Sequence, residues 1–447
     1  MAFSVSALCL RALRISLILG LLVHSDDAKS LCGAFSPGDI IIGILGSVHS
    51  KVKDLQTRIL IFFNHQCLLH FDLIPFVHSL AAIHTIETIN DSGFLPGVRL
   101  GYQMCDPCAY GTKALHCVEH MLSINDSLAI FSDYSEFLAP MKAFVGERYS
   151  ELSIPVAKLL SLYMIPQISS TSSSPALSDK LRYASFFRVI PSDVHQTKAL
   201  AKFMKYFKWD WVGVVNLDDD YGKPALEKFL NDSKEENICI AFQEELPNYL
   251  GYTNMEQRIK EVADKIQTFE NATVVLLIVR PEHVKMIFQE IIKRNITRIW
   301  ISSDAWSTTR YLMKMKDINR VGEIFGLTFL TGNVPGFKDY LQNLTIPPGV
   351  KNDYIREYKQ IRLNCSSGQQ SEHTSPSACN VTDPQEQNDD HLLQAVDLTE
   401  AYGQSVAVYA LAHAIKKLLK CNDTACSGET DFLPWKVKFI PSEKLPV

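Results

Sequence analysis

Two sets of residues in this chain have the types and spacing to do chemistry. The first is Cys105-Asp-Pro-Cys108, followed by His116, Cys117 and His120. Two cysteines separated by two residues suit zinc ligation or a thiol-redox pair, and nearby imidazoles could complete a metal shell. The second is a series of polar groups placed where strand-like runs end. Ser150 opens a helical stretch after residues 142–146. Ser169-Ser-Thr-Ser-Ser-Ser174 follows 165–168, and Leu217-Asp-Asp-Asp-Tyr-Gly222 follows 211–216. Asp193 and Asp304 follow 187–190 and 298–302. Hydroxyls and N–H groups at helix starts suit an anion. Three adjacent aspartates could bind a cation, but capping the next helix is their expected role, and it is open to Asp193 and Asp304 too. Taken together, the set offers hydroxyls and amides for an anion and two carboxylates for a cation. An amino acid's α-carboxylate and α-ammonium need those two kinds of group, held apart. The face of Tyr221 over the ammonium would add about 0.5–2 kcal/mol.

The elements that must hold these groups are short buried strands alternating with amphipathic helices. Strand-like runs occupy 39–46, 98–104, 142–146, 165–168, 211–216, 238–242, 273–279, 298–302 and 324–330. Helical patterns lie between them, at 73–90, 111–123, 150–162, 193–207, 223–235, 254–268 and 281–293, and again at 392–419. Such alternation predicts an α/β fold with parallel sheets. Two sets, before and after about Pro191, predict two similar lobes. Residues 364–390 are rich in Ser, Gln, Asn, Asp and Pro and read as an exposed loop. The last helix carries Glu400 near its start and Lys416, Lys417 and Lys420 at its end, where cations suit the helix terminus.

The chain has 447 residues, 47% hydrophobic and 21% charged, with a net charge of −5. That composition excludes a disordered chain and gives no basic excess for nucleic acid. Residues 1–25 read as a secretory signal: Arg11 and Arg14 precede a short apolar run that is too short to span a bilayer. Nine Asn-x-Ser/Thr triplets follow, at Asn90, Asn125, Asn231, Asn271, Asn295, Asn343, Asn364, Asn380 and Asn422. Behind a signal they predict a glycosylated extracellular or lumenal surface. Of the 11 cysteines, Cys9 leaves with the signal, and the remaining ten enter an oxidising compartment. A structural disulfide is therefore the expected use of the Cys105/Cys108 cluster. No later run is long and apolar enough for a membrane span, so the chain is expected to be secreted or to be the outer part of something longer. Phosphate-loop, His-Glu-x-x-His and Gly-x-Ser-x-Gly motifs are absent from the sequence.

A family resemblance covers residues 36–435. Pro37-Gly-Asp-Ile-Ile-Ile-Gly43, Phe94-Leu-Pro-Gly-Val-Arg-Leu-Gly-Tyr102, Met164-Ile-Pro-Gln167, Ser185-Phe-Phe-Arg-Val-Ile-Pro191, Trp209-Asp-Trp-Val-Gly213, Asp218-Asp-Asp-Tyr-Gly222, Asn237-Ile-Cys-Ile240, Arg294-Asn-Ile-Thr297 and Ser303-Asp-Ala-Trp306 resemble the ectodomain of family C G-protein-coupled receptors, in their amino-acid-sensing branch. The resemblance implies a bilobed Venus-flytrap module related to periplasmic binding proteins. It implies a first lobe over 36–190, a second over 191–328, a return to the first over 329–435 and a short tail over 436–447. It implies an L-amino-acid ligand, lobe closure, a homodimer through the first lobe, and a G protein reached through a seven-helix membrane domain that this sequence lacks. No cofactor is implied, and Ca2+ is left open as a modulator.

Carried over by position, Ser150, Thr171 and Ser173 resemble α-carboxylate contacts. Asp193 and Asp304 resemble α-ammonium partners, with Thr171 helping and Tyr221 stacking. Glu400 stands where relatives that sense glutamate place a basic residue, which implies a preference for Arg and Lys, against a solvated helix residue as the plainer reading. The implied disulfides are Cys67–Cys108, Cys365–Cys379 and Cys421–Cys426. Cys239 resembles a cysteine whose partner lies outside this chain. Ser132 replaces an intersubunit cysteine, which puts a covalent dimer in doubt, and residues 59–71 are more apolar than the family pattern. Two other readings compete: a secreted amino-acid-binding decoy of the same fold, and a secreted metal or thiol enzyme using Cys105, Cys108 and His116.

Overall fold

The structure is a computed structural model that describes residues 32–51, 70–124, 127–128, 130–248, 253–329, 331–363, 390–396 and 398–438. The expected signal peptide, Cys67, the Cys365–Cys379 pair, Asn125, Asn364 and Asn380 lie outside those residues, as does most of the polar loop.

The chain folds into two α/β lobes. Strands β1 (Ala34–Ser36), β2 (Ile40–Leu45), β5 (Leu100–Cys105), β6 (Met141–Val145), β7 (Gln167–Ser169), β8 (Phe186–Arg188) and β14 (Lys351–Asn352) form the first sheet, in the order β14-β1-β5-β2-β6-β7-β8. Its central pairings, β5 with β2, β2 with β6, β6 with β7 and β7 with β8, are parallel. β1 runs antiparallel to both β5 and β14. A two-stranded ribbon, β3 (His49–Lys51) and β4 (His70–Phe71), stands apart. The second sheet contains β9 (Trp211–Asp218), β10 (Cys239–Pro247), β11 (Val274–Ile278), β12 (Arg298–Ser302) and β13 (Gly322–Gly326). It is wholly parallel, in the order β10-β9-β11-β12-β13. The run expected over 324–330 starts two residues earlier and ends at Gly326.

Both sheets are covered on both faces, which is why their strands read as continuous apolar runs rather than alternating ones. On one face of the first sheet lie α1 (Leu73–Asp91), α10 (Phe337–Gln342), α11 (Asp353–Leu363) and α13 (Leu398–Leu418). On the other lie α2 (Gly111–Leu122) and α3 (Ser150–Leu162). The second sheet is packed between α4 (Asp193–Tyr206) with α5 (Gly222–Glu235) and α6 (Met255–Thr268) with α7 (Pro281–Lys293). Two four-residue helices, α8 (Asp304–Ser307) and α9 (Arg310–Met313), follow β12. α1 is buried on most of its surface, and its Thr85 hydroxyl donates to Ser405 of α13 at 3.0 Å. The helix expected over 392–419 is divided into α12 (Asp390–Ala395) and α13, which puts Glu400 in the first turn of α13.

The disulfides remove the metal and thiol reading of the cysteine cluster. Cys105, at the end of β5, is bonded to Cys32, and Cys108 is also disulfide-bonded. The Cys117 thiol is buried, and burial pushes its pKa well up, as for an inert core cysteine. Among the described residues no cluster of three or more His, Cys, Asp or Glu is arranged to hold a metal. Cys421–Cys426 forms as the resemblance implies, and Cys239 is exposed and unbonded. Ser132 is exposed.

Of the sequons, Asn231, Asn271, Asn295, Asn343 and Asn422 are exposed. Asn90 is not available in the same way. Its amide nitrogen donates to Leu100 O at 2.9 Å and its oxygen accepts from Leu100 N at 2.8 Å. Both ends of the side chain therefore brace α1 against β5.

Candidate functional site

The strand ends converge on one cavity between the lobes, with a volume of about 340 Å3. From the first lobe come Ser150 after β6, and Ser170, Thr171 and Ser173 after β7. From the second come Tyr221 after β9, Arg280 after β11 and Asp304 after β12. α13 contributes Thr399 and Glu400. Carboxyl ends of parallel strands are where α/β sheets hold ligands, because crossover loops part there and helix N-termini point inward. Of the residues singled out in the sequence, Ser150, Thr171, Ser173, Tyr221, Asp304 and Glu400 line this cavity together. Asp193 does not. It is 0% exposed and sits one layer behind the wall.

On the acidic wall, Tyr221 OH donates to Asp304 Oδ1 at 3.0 Å. Gln196 Nε2 bridges the two aspartates, at 2.8 Å from Asp304 Oδ1 and 2.8 Å from Asp193 Oδ1. Ser173 Oγ reaches across from the first lobe to Asp193 Oδ2 at 2.9 Å. Among the described residues neither aspartate forms an ion pair. Burial pushes both carboxyls above the usual range, and Asp304 raises Asp193 further. A buried carboxyl supplied with neutral donors and no cation is a site where an incoming ammonium is electrostatically favoured.

The serine-rich loop differs from its expected use. Five of its six hydroxyls are spent inside the protein. Ser169 and Ser172 donate to Glu147 O, Thr171 to Arg148 O, Ser173 to Asp193 and Ser174 to Asp220 O. Only Ser170 Oγ has no hydrogen-bond partner, and that residue is 1% exposed. Ser150 Oγ accepts from Ser174 N at 3.2 Å, which leaves its own proton to donate. The anion-favouring feature of this wall is therefore the start of α3, with its Ser150 hydroxyl and first-turn N–H groups, more than the string of hydroxyls.

Glu400 is neither a solvated helix residue nor a carboxylate standing open. Its Oε1 lies 2.7 Å from Arg148 Nε and its Oε2 2.6 Å from His78 Nδ1. Burial opposes its charge, but Arg148 and His78 outweigh that and hold its carboxyl down to about 2. Arg148, Tyr149, Glu282 and Arg280, not singled out from the sequence, also line the cavity. Arg280 directly follows the 273–279 run, so the same strand-end rule that found Asp304 reaches it.

The profile of the receptor family ligand binding region matches residues 78–438. Human G-protein coupled receptor family C group 6 member A is 34% identical over 426 residues, which cover 90% of this chain and 45% of that protein. The Carassius auratus protein of the same name is 31% identical over 435 residues, 95% of this chain and 47% of that protein. The Bos taurus extracellular calcium-sensing receptor is 33% identical over 417 residues, 86% of this chain and 38% of that protein. These relatives are receptors, not enzymes, and the chain spans less than half the length of each. Among the described residues no helix is long and apolar enough to cross a membrane. By the extent and order of these matches, the chain belongs to the receptor family ligand binding region, as the ectodomain type of family C G-protein-coupled receptors.

Proposed function

We propose that the interlobe cavity binds a free L-α-amino acid, and that binding closes the lobes. The observation that carries this reading is Asp304, a buried carboxyl supplied by Tyr221 and Gln196 but, among the described residues, by no cation, sharing one cavity with the N-terminal turn of α3. The α-ammonium would meet Asp304 and Tyr221, with Asp193 behind them. The α-carboxylate would meet Ser150 and the first-turn N–H groups, near Thr171 and Ser173. The lobes divide near residues 190 and 328. The finer reading is a preference for basic side chains. Arg148 is matched by Glu400 and Arg280 by Glu151. The wall also carries Arg310 and three further carboxylates, Asp72, Glu282 and Asp304. In the whole receptor the module would sit on the extracellular side of the cell membrane as a homodimer through the first lobe. A membrane domain outside this sequence would engage the G protein, and Ca2+ would act as a modulator, not a cofactor.

Calorimetric titration with L-Arg, L-Lys, L-Ala and L-Glu tests the reading. Asp304→Ala should abolish binding of every α-amino acid, because removing one partner of a desolvated charge pair costs about 2–5 kcal/mol. Parent-like binding of L-Arg by Asp304→Ala would falsify the ammonium assignment.

A further inference from the structure

Glu151 lies one residue past Ser150, in the first turn of α3, and belongs to the first lobe. Both of its carboxylate oxygens are held by the second lobe. Oε1 lies 2.5 Å from an Arg280 guanidinium nitrogen, and Oε2 accepts from Asn248 Nδ2 at 2.7 Å. The ion-paired side chains are only 17% and 18% exposed, so solvent screens them little. The Arg280 guanidinium also lies 4.2 Å from the Tyr149 ring centroid, on the first lobe. Ser174 Oγ adds one more crossing, to Asp220 O at 2.7 Å. Tyr149 and Arg280 line the cavity, so these contacts adjoin it.

We propose that Glu151 is a positioning residue for ligand retention: with Arg280 and Asn248 it forms an electrostatic latch that exists only when the lobes are together. The proposal rests on the reading that the lobes close around a ligand. Arg280 has a second partner in its own lobe, Asp219 Oδ2 at 3.4 Å. Opening therefore strips Glu151 of both donors but leaves Arg280 matched. That asymmetry makes the latch releasable. A buried arginine with no partner in the open state would lock the cleft, because an uncompensated buried charge is strongly disfavoured. Burial raises the Asp219 carboxyl to about 6 against the lowering effect of Arg280, and the like charge of Glu151 adds to the rise. The closed cluster carries two carboxylates for one guanidinium, which weakens the hold further and suits a cleft that must open again.

The test uses the full chain, as parent and as Glu151→Gln, which keeps the side-chain shape and removes the charge. Small-angle scattering of the ligand-free protein is measured at low and at high salt, and L-Arg dissociation is followed by stopped flow. The parent should stay compact at low and at high salt, because the pair is little screened. Glu151→Gln should be expanded at low salt and should release L-Arg roughly tenfold faster or more, with its association rate little changed. Asn248→Ala should shift both readouts in the same direction by less, and melting curves on all three proteins check that each is folded. If Glu151→Gln is as compact as the parent at low salt and releases L-Arg at the parent's rate, the latch is overturned. If no amino acid binds the parent, the amino-acid reading falls, and the scattering still decides the latch by itself.

Discussion

At the residue scale, the two buried aspartates tie folding to proton uptake and the binding of an ammonium to proton release. Asp193 and Asp304 have carboxyl pKa values raised by burial, so the folded protein holds protons that the unfolded chain has already released. Stability in ligand-free protein should therefore fall as pH rises above the ordinary carboxylate range, and Asp304→Asn should flatten that slope. An ammonium ligand should flatten it too, by supplying the missing positive charge. Calorimetric melting across that pH range checks both, and an equal slope in parent and variant would remove Asp304 as the source. Glu400 has the opposite sign. Its carboxyl is held down to about 2 by Arg148 and His78, so its contribution is complete above the ordinary carboxylate range and is lost as pH falls toward about 2. Glu400→Gln should release Arg148 into the cavity. L-Glu should then gain about 1–2 kcal/mol relative to L-Arg, with L-Ala little changed. Four dissociation constants for parent and variant at fixed salt measure this. An unchanged Arg-to-Glu ratio would mean that Arg148 never reaches the ligand.

At the element scale, α13 holds its end of the cavity by packing, not by polar contacts alone. Leu411, Ala407, Val408 and Ile415 are buried against the first sheet and α1. Gly403 lets the helix approach β7 closely, since a Cβ there would lie 3.3 Å from Ser170 Cβ and 3.3 Å from Ser170 O. Leu411→Ala should cost about 2–5 kcal/mol of unfolding free energy, as lost burial plus a residual cavity. Urea unfolding measures it, and a cost below about 1 kcal/mol would show that α13 repacks freely. Elements of this kind were legible in sequence because their signals are local. The helices over 150–162 and 281–293 were read with their observed limits, and most other ends fell within one or two residues. The break before α13 was not: Val396 lies outside both helices, in a stretch whose pattern reads as one continuous helix.

For the whole molecule, the disulfides differ in what they restrain. Cys32 and Cys105 are 73 residues apart, whereas Cys421 and Cys426 are 5 apart. On the chain-entropy account, losing the first should cost about 4 kcal/mol and losing the second about 2 kcal/mol. Cys32→Ser and Cys426→Ser, compared by thermal melting, should show the larger loss for Cys32→Ser. Equal losses would mean that the first link mainly restrains a segment already ordered by β1. The Cys32–Cys105 pairing was not legible in sequence, since ten thiols do not specify their partners. It became visible only when β1 came to lie beside β5.

The sequence by itself determined the fold class, the strand ends and the residue types placed there. Strand and helix periodicity act over a few residues, and polar groups after buried strands are marked wherever they occur. Only the tertiary structure decided which of those groups share the cavity and which are consumed elsewhere. Ser169, Thr171 and Ser172 look like ligand donors in sequence, but fold back onto the carbonyls of Glu147 and Arg148. Glu400 looks like an open carboxylate until α1 and the β6–α3 turn bring His78 and Arg148 to it. Asp193 reads as a wall residue until Gln196 and Ser173 enclose it. The physical reason is common to all three. A buried polar atom must find a partner, and for these groups the partner comes from a segment distant in sequence, so the pairing is set by packing and not by spacing.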